Sequence, residues 1–403
     1  MWERVVRHSV CPMSGSPVTS SRVRRIGEID ILRGFALFGI LVTNVVVLTT
    51  VLSFTGTNDD PRHLYDGTID RFVYAVVDGL FIGRFYLLFA FLFGYSFTLQ
   101  MTAAERAGAR PVPRLLRRCL ALLLIGLAHV MLLWFGDILT LYAVLGLILV
   151  LLREIRPRTA FVAGVVLYLV FVAFSFLPGS GEIEGLRAVF DLQAMRDRYT
   201  GSPADTFHAQ LDTAPVFMFL IWLTQGVPSL GMFLIGMAAG KRRIFENADL
   251  LRRWTRVGLV AGGLVGLPVS LATLSFASTA GDLPPHWYGV QELVNPVVTL
   301  GYMAVVVWLA RGRWAGGIAR LAPAGRMAAS NYILQSVVMM LVFTGYGLAL
   351  ADRVAPAVAV GIALLTYIVQ LWFSAWWLRG HGYGPVEWVL RAATYREWPR
   401  WRR

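Results

Sequence analysis

Apolar residues in this chain are gathered into runs of roughly 20, the length an α-helix needs to cross a hydrocarbon core of about 30 Å. In order, the runs fall near 31–54, 84–103, 115–135, 138–152, 159–177, 214–240, 255–277, 291–310, 327–350 and 355–378. They predict an all-α fold, a polytopic membrane bundle of about ten transmembrane helices filling residues 26–380. A cytoplasmic basic tail at 1–25 precedes the bundle, and a cytoplasmic C-terminal interfacial segment at 381–403 follows it.

Two stretches depart from plain spans. Residues 68–83 (TIDRFVYAVVDGLFIG) run into the second span and make it too long for one crossing. Asp70, Arg71 and Asp78 set against Phe72, Val76 and Phe81 predict an amphipathic helix on the outer surface. Gly79 and Gly83 would let the chain turn inward before Arg84. The connection 178–213 is long, and the spacing of Leu, Val, Phe and Met within it predicts a helical cap on the outer face.

Charge assigns the sides. The connection 104–118 carries five Arg against one Glu, 153–158 three Arg against one Glu, and 241–256 six Lys or Arg against two acids. The segment 311–326 has four Arg and no acid. The alternate connections are acidic, with four Asp against one Arg at 55–70 and six acids against three Arg at 178–212. By the positive-inside rule both termini are expected on the cytoplasmic side. The net charge of +13 is thereby explained by short Arg clusters at membrane edges, and no basic stripe with interleaved aromatics points to nucleic acid. Trp134, Trp222, Trp287, Trp377 and Trp388 read as interfacial anchors.

The two cysteines, Cys11 and Cys119, form no disulfide framework, and no Cys or His cluster has metal-ligand spacing. The first 25 residues lack an apolar core and end in Arg24 and Arg25, so the first span is expected to act as an uncleaved insertion signal.

Polar side chains inside the spans carry the candidate chemistry, because lipid offers them no partner. Asn44, Gln225, Asn295, Asn331, Gln335 and Gln370 either glue helices together or line a polar interior. In GLAHVMLLWFGDILTLYAVLG, His129 and Asp137 stand eight residues apart. His129 either serves packing or acts as a base or acyl carrier, and Asp137 either caps the fourth span or orients the imidazole. Eight residues of continuous helix rise about 12 Å, so the two meet only if the chain reverses near Gly136. Arg33, three residues after Asp30 on one helix face, is either a membrane-edge anchor or part of a site for an anionic donor. Near the C-terminus, Gly384, Pro385, Glu387, Trp388 and Arg391 predict an interfacial helix that locks the inner face, with Glu387 and Arg391 at helical pairing distance.

Four segments, RRIGEIDILRGFALFGILVTN, GRFYLLFAFLFGYSF, the His129 and Asp137 segment, and GRMAASNYILQS with GYGPVEWVLRAATY, together resemble the YeiB-like family, domain of unknown function 418, from about residue 22 to residue 398. The first spans are also similar to membrane acyltransferases of the heparan glucosaminide acetyltransferase type, whose opening pattern is matched by Asp30, Leu32, Arg33, Gly34 and Asn44. In those enzymes a catalytic histidine lies in the first outer loop; here that loop offers His63, nineteen residues beyond Asn44. The resemblance implies transfer of an acyl group from a cytoplasmic donor, with acyl-CoA as co-substrate and no bound cofactor. The acceptor would be a sugar, a lipid-linked group or a secreted small molecule. His129, Asp137 and His63 are then the candidate catalytic residues, with Asp30, Arg33, Asn44, Arg84, Asn331 and Gln335 as donor-binding or structural polar core. A shared site requires Asn44, His129, Asp137 and Arg33 to face one cavity. The alternative is an exporter of a small metabolite, which would show related halves and helices broken at mid-membrane; no internal repeat is visible.

Overall fold

The structure is a computed structural model and describes residues 27–53, 67–177, 191–278, 284, 286–351 and 353–402. Among these, regular structure is helical, with one isolated bridge between His381 and Arg402. The helices are α1 (Gly27–Ser53), α2 (Thr68–Leu80), α3 (Phe85–Arg106), α4 (Pro111–Leu132), α5 (Leu139–Leu151), α6 (Pro157–Ser175) and α7 (Leu192–Tyr199). There follow α8 (Pro203–Lys241), α9 (Ala248–Ser278), α10 (Trp287–Arg311), α11 (Ala315–Arg326), α12 (Ala328–Phe343), α13 (Pro356–Gly380) and α14 (Pro385–Tyr395). Proline opens α4, α6, α8, α13 and α14, where its fixed φ suits the first turn and its missing N–H costs nothing.

Eight helical segments are long and apolar enough to cross a membrane. Two more apolar segments are irregular: α11 and α12 form one span bent by 80° at Met327, and α5 has only 13 residues. Thirteen residues rise about 20 Å, less than the ~30 Å hydrocarbon core. Among the described residues the structure thus gives eight spans, or nine with the bent pair, against about ten expected, and α5 is too short to count with them.

The second span corrects the sequence reading. Instead of lying on the surface, α2 descends beside the bundle. Its first turn receives Ala357 N–H of α13 on Asp70 Oδ1 (3.1 Å), and its last carbonyl, Leu80 O, takes the Tyr302 hydroxyl at 2.7 Å, fifteen residues into α10. The break at 81–84 is internal, with Gly83 at φ +81°. Helix α2 packs on α9 and α13 with Ala75, Val77 and Gly79 buried, while Ile69 and Phe72 remain exposed.

The helical cap is partly seen. Residues 178–190 and the loop carrying His63 lie outside the described residues, as does the 1–25 tail. The described part, α7 and the start of α8, has Leu192, Met195 and Tyr199 buried, and a Ser202–Asp205 capping box fixes the entry to α8.

Close packing at the centre rests on small residues. A Cβ on Gly94 of α3 would strike the Phe233 carbonyl of α8, and one on Gly236 of α8 would strike the Phe91 carbonyl of α3. These backbones approach as closely as small-residue contacts between membrane helices allow. Replacing Gly236 by Leu is expected to destabilise the bundle by about 1–3 kcal/mol through overpacking. The measurement is the thermal unfolding midpoint in detergent. Gly361→Leu, on an exposed face with open space around the glycine, should leave that midpoint unchanged.

Candidate active site

The turn between α4 and α5 builds the site. Helix α4 ends when His129 O accepts the N–H groups of both Leu133 (2.9 Å) and Trp134 (3.1 Å). The chain then reverses through 133–138, and the Trp134 indole lies over Gly136 where any side chain would collide with it. Trp134 is 1% exposed, a buried component of the turn and not the interfacial anchor expected of it. Trp222, also expected at an interface, is half-buried and donates its Nε1–H to Thr140 Oγ1 (3.3 Å).

That reversal is the one on which a His129–Asp137 contact depended. Nδ1 of His129 lies 2.8 Å from Asp137 Oδ1, while Oδ2 accepts the Thr140 N–H at 2.7 Å near the start of α5. Asp137 thus takes both roles considered for it, capping and orientation. On the far side of the ring, His129 Nε2 is 2.8 Å from the hydroxyl of Ser336 in α12. With a carboxylate beside Nδ1, the tautomer that satisfies all three groups carries its proton on Nδ1 and presents the Nε2 lone pair to the Ser336 hydroxyl. All three side chains are buried, and the Tyr332 ring packs 5.1 Å from the imidazole.

The cap seals this cluster on the side of α7. Gln210 Nε2 donates to Val130 O (2.5 Å), Tyr199 bonds Gln210 and Thr213, and Phe135 sits between Tyr199 and Phe217. Helix α12 brings the cluster's other wall. Asn331, Tyr332, Gln335 and Ser336 share one buried face, spaced so that successive turns superpose. Asn331 Nδ2 donates to Ser374 Oγ (2.9 Å) and Ala324 O (3.1 Å); Gln335 Nε2 donates to Gln370 Oε1 (2.9 Å). These amides tie α12 to α13, the helix-joining role.

A carboxylate holds the amino end of α12. Glu387 of α14 accepts from Ala329 N–H (2.7 Å), Ser330 N–H (3.3 Å) and the Ser330 hydroxyl (2.5 Å). The lock expected of the C-terminal helix is therefore made to α12, and the expected Glu387–Arg391 pairing is not its basis: Arg391 lies over the rings of Tyr383 and Tyr395.

Two cavities lead toward the cluster from the end that carries the Arg-rich connections. The outer one, about 870 Å³, is lined by five arginines, Arg33, Arg106, Arg243, Arg311 and Arg326, against three acids, Glu28, Asp30 and Glu246. Arg33 bonds Asp30 (3.2 Å) and Ser96 Oγ (2.5 Å), and Arg311 bonds Glu28 (3.0 Å). Arg33 and Arg326 also line the inner cavity, about 180 Å³, which continues past Arg118, Phe93 and Leu122 to Ile138, Leu139 and Tyr332. The single-cavity expectation is not met. Of the four residues only Arg33 lines these cavities; His129 and Asp137 are buried and line neither, and Asn44 is half-buried on α1 and lines neither.

Arg84 belongs to a different cluster, at the break between α2 and α3. It is 1% exposed and donates through Nη1 to Asp78 O (2.8 Å) and Ile82 O (3.0 Å), closing the end of α2. Glu292 and Asn295 of α10 are buried nearby, and Asn295 lies against Gly83. Pro296 has no N–H for Glu292 O, and the Tyr168 hydroxyl supplies the missing donor at 3.0 Å.

Sequence reasoning missed Ser336 and Glu292. Ser336 ends the GRMAASNYILQS motif, and placing that motif on a helical wheel would have put it beside Tyr332 and Gln335. Glu292 stood in plain view as an acid at the start of an apolar run.

The model for the protein family of unknown function DUF418 matches residues 239–397. The chain is 33% identical over 392 residues to the uncharacterized protein YxaH of Bacillus subtilis (strain 168), covering 93% of this chain and 95% of that protein. It is 27% identical over 404 residues to the uncharacterized protein YeiB of Escherichia coli (strain K12), covering 91% and 96%.

Burial pushes the Glu387 carboxyl above the ordinary glutamate value of 4.5, against the pull of its Ser330 and Ala329 donors. The folded protein therefore holds this proton more tightly than the unfolded chain. The resulting stabilisation is present below the ordinary value and is lost as pH rises through the raised one. Glu387→Gln is expected to flatten the decline of the thermal midpoint from pH ~4.5 upward. A decline as steep as in the wild type would reject this.

Proposed function

This chain belongs to the DUF418 family, and from that premise we propose that it is a membrane acyltransferase. It takes an acyl group from a cytoplasmic thioester donor such as acyl-CoA and passes it to a sugar, a lipid-linked group or a secreted small molecule. One observation carries the reading: an imidazole held by a carboxylate on one nitrogen and facing a hydroxyl with the other, buried away from water. That arrangement suits proton abstraction from a hydroxyl during acyl transfer, with the carboxylate stabilising the imidazolium that forms. His129 is the base and Asp137 its orienting partner.

The donor's route is read from charge. The Arg-rich connections support assigning the 870 Å³ cavity, with both termini, to the cytoplasmic side of a bacterial inner membrane. Arginine forks recognise phosphate, and five arginines against three acids favour an anionic head group. The narrower inner cavity then leads an acyl arm toward Tyr332 and the cluster behind it.

A second reading, export of a small metabolite, is favoured by the spans broken at 81–84 and at Met327, and by the buried Arg84 and Glu292 beside the first break. One preparation separates the two. Purified protein in liposomes, given acyl-labelled CoA, is expected to transfer label to hydroxyl acceptors. His129→Ala should slow that transfer by about 10²–10⁴-fold, and His63→Ala should not. No transferred or protein-bound label in any form rejects the enzyme reading, and loss with His63→Ala alone rejects His129 as the base.

A further inference from the structure

We propose that Ser336 is a covalent nucleophile, so that transfer proceeds through an acyl-serine intermediate. The proposal deepens the acyl-transfer reading and rests on it for the identity of the donor.

Several buried hydroxyls on these helices return their proton to the carbonyl one turn back. Thr49, Thr213, Thr273 and Thr299 do so, at 2.8–3.0 Å. Ser336 makes that contact only at 3.4 Å to Tyr332 O, beyond the usual 2.5–3.0 Å for a hydroxyl donor, whereas His129 Nε2 is at 2.8 Å. Its proton is thus directed at the lone pair of an imidazole that Asp137 orients from the other side. Nucleophile, base and orienting acid come from α12, α4 and the α4–α5 turn, and they meet in the constellation that activates serine on unrelated folds. The inner cavity is lined by Tyr332, one turn before Ser336 on the same helix, and by Ile138, the neighbour of Asp137.

In the first half-reaction, Ser336 Oγ attacks the thioester carbonyl carbon as its proton passes to His129 Nε2. The C–S bond breaks, and the leaving thiolate takes that proton to depart as thiol. In the second half, an acceptor hydroxyl gives its proton to His129 and attacks the acyl carbon. The bond to Oγ breaks, and Oγ recovers the proton. No oxidant or reductant is involved.

The test uses the full chain in liposomes and a serine-directed fluorophosphonate, followed by peptide mass analysis. Ser336 should be the site of modification. Ser336→Ala should abolish the adduct and His129→Ala should slow its formation by at least about 100-fold. Ser374→Ala, which removes a different buried helical serine bonded to Asn331, should leave it intact. Absence of a Ser336 adduct in the wild type, or equal rates with and without His129, overturns the proposal. A parallel arm uses acyl-labelled CoA. Label found on Ser336 and lost in Ser336→Ala supports the proposal. Transfer that persists in Ser336→Ala overturns it while leaving the transferase reading intact, with His129 acting directly on the acceptor. A Ser336 adduct without acyl transfer from any thioester sinks the transferase reading and retains the nucleophile.

Discussion

Asp137 uses its two carboxylate oxygens on two different parts of the fold. One fixes the imidazole of α4, and the other holds the amino end of α5 through Thr140. Because α5 is only 13 residues long, its start lies below the level at which a full span would begin, and the reversing backbone at 133–138 is buried in protein. Irregular backbone at membrane depth survives only when its polar groups find partners, so the turn needs the protein around it. Gln210, Tyr199 and Phe217 supply that cover from α7 and α8, and Tyr332 and Ser336 supply it from α12. Loss of the Asp137 contacts would therefore affect the turn, the short helix and the candidate site together.

The same demand for partners organises the rest of the polar interior into separate groups. At 81–84 the broken span is closed by its own Arg84, and the carbonyl released by Pro296 is claimed by Tyr168. At Met327 the bend exposes the first N–H groups of α12, and Glu387 from the C-terminal helix receives two of them. Through this carboxylate, the segment after the last span orients the helix that carries Ser336. The amides of Asn331, Gln335 and Gln370 bind α12 to α13 and bear on the site only by fixing that helix.

Much of the architecture was legible from composition because bilayer thickness imposes a length on every apolar run. The positions of most spans and the helix begun at Pro385 followed from local rules that need no tertiary information. The amphipathic pattern of 68–80 was real but ambiguous, since a face suited to headgroups is equally suited to burial against α9 and α13. Trp134 misled for a similar reason: an indole near a span end is interfacial only if the span ends at the interface, and here it ends in a buried turn.

By itself the sequence determined a polytopic helical membrane bundle of the DUF418 family and singled out His129 and Asp137 as ionisable groups in an apolar run. It left their meeting conditional, because helix rise separates residues eight apart and only the path of the chain after Leu132 closes the gap. Tertiary structure decided that path, and it decided the third partner as well. Ser336 is 207 residues from His129, and nothing in local spacing announces a hydrogen bond that arises only when α12 is bent into the bundle and held there by Glu387.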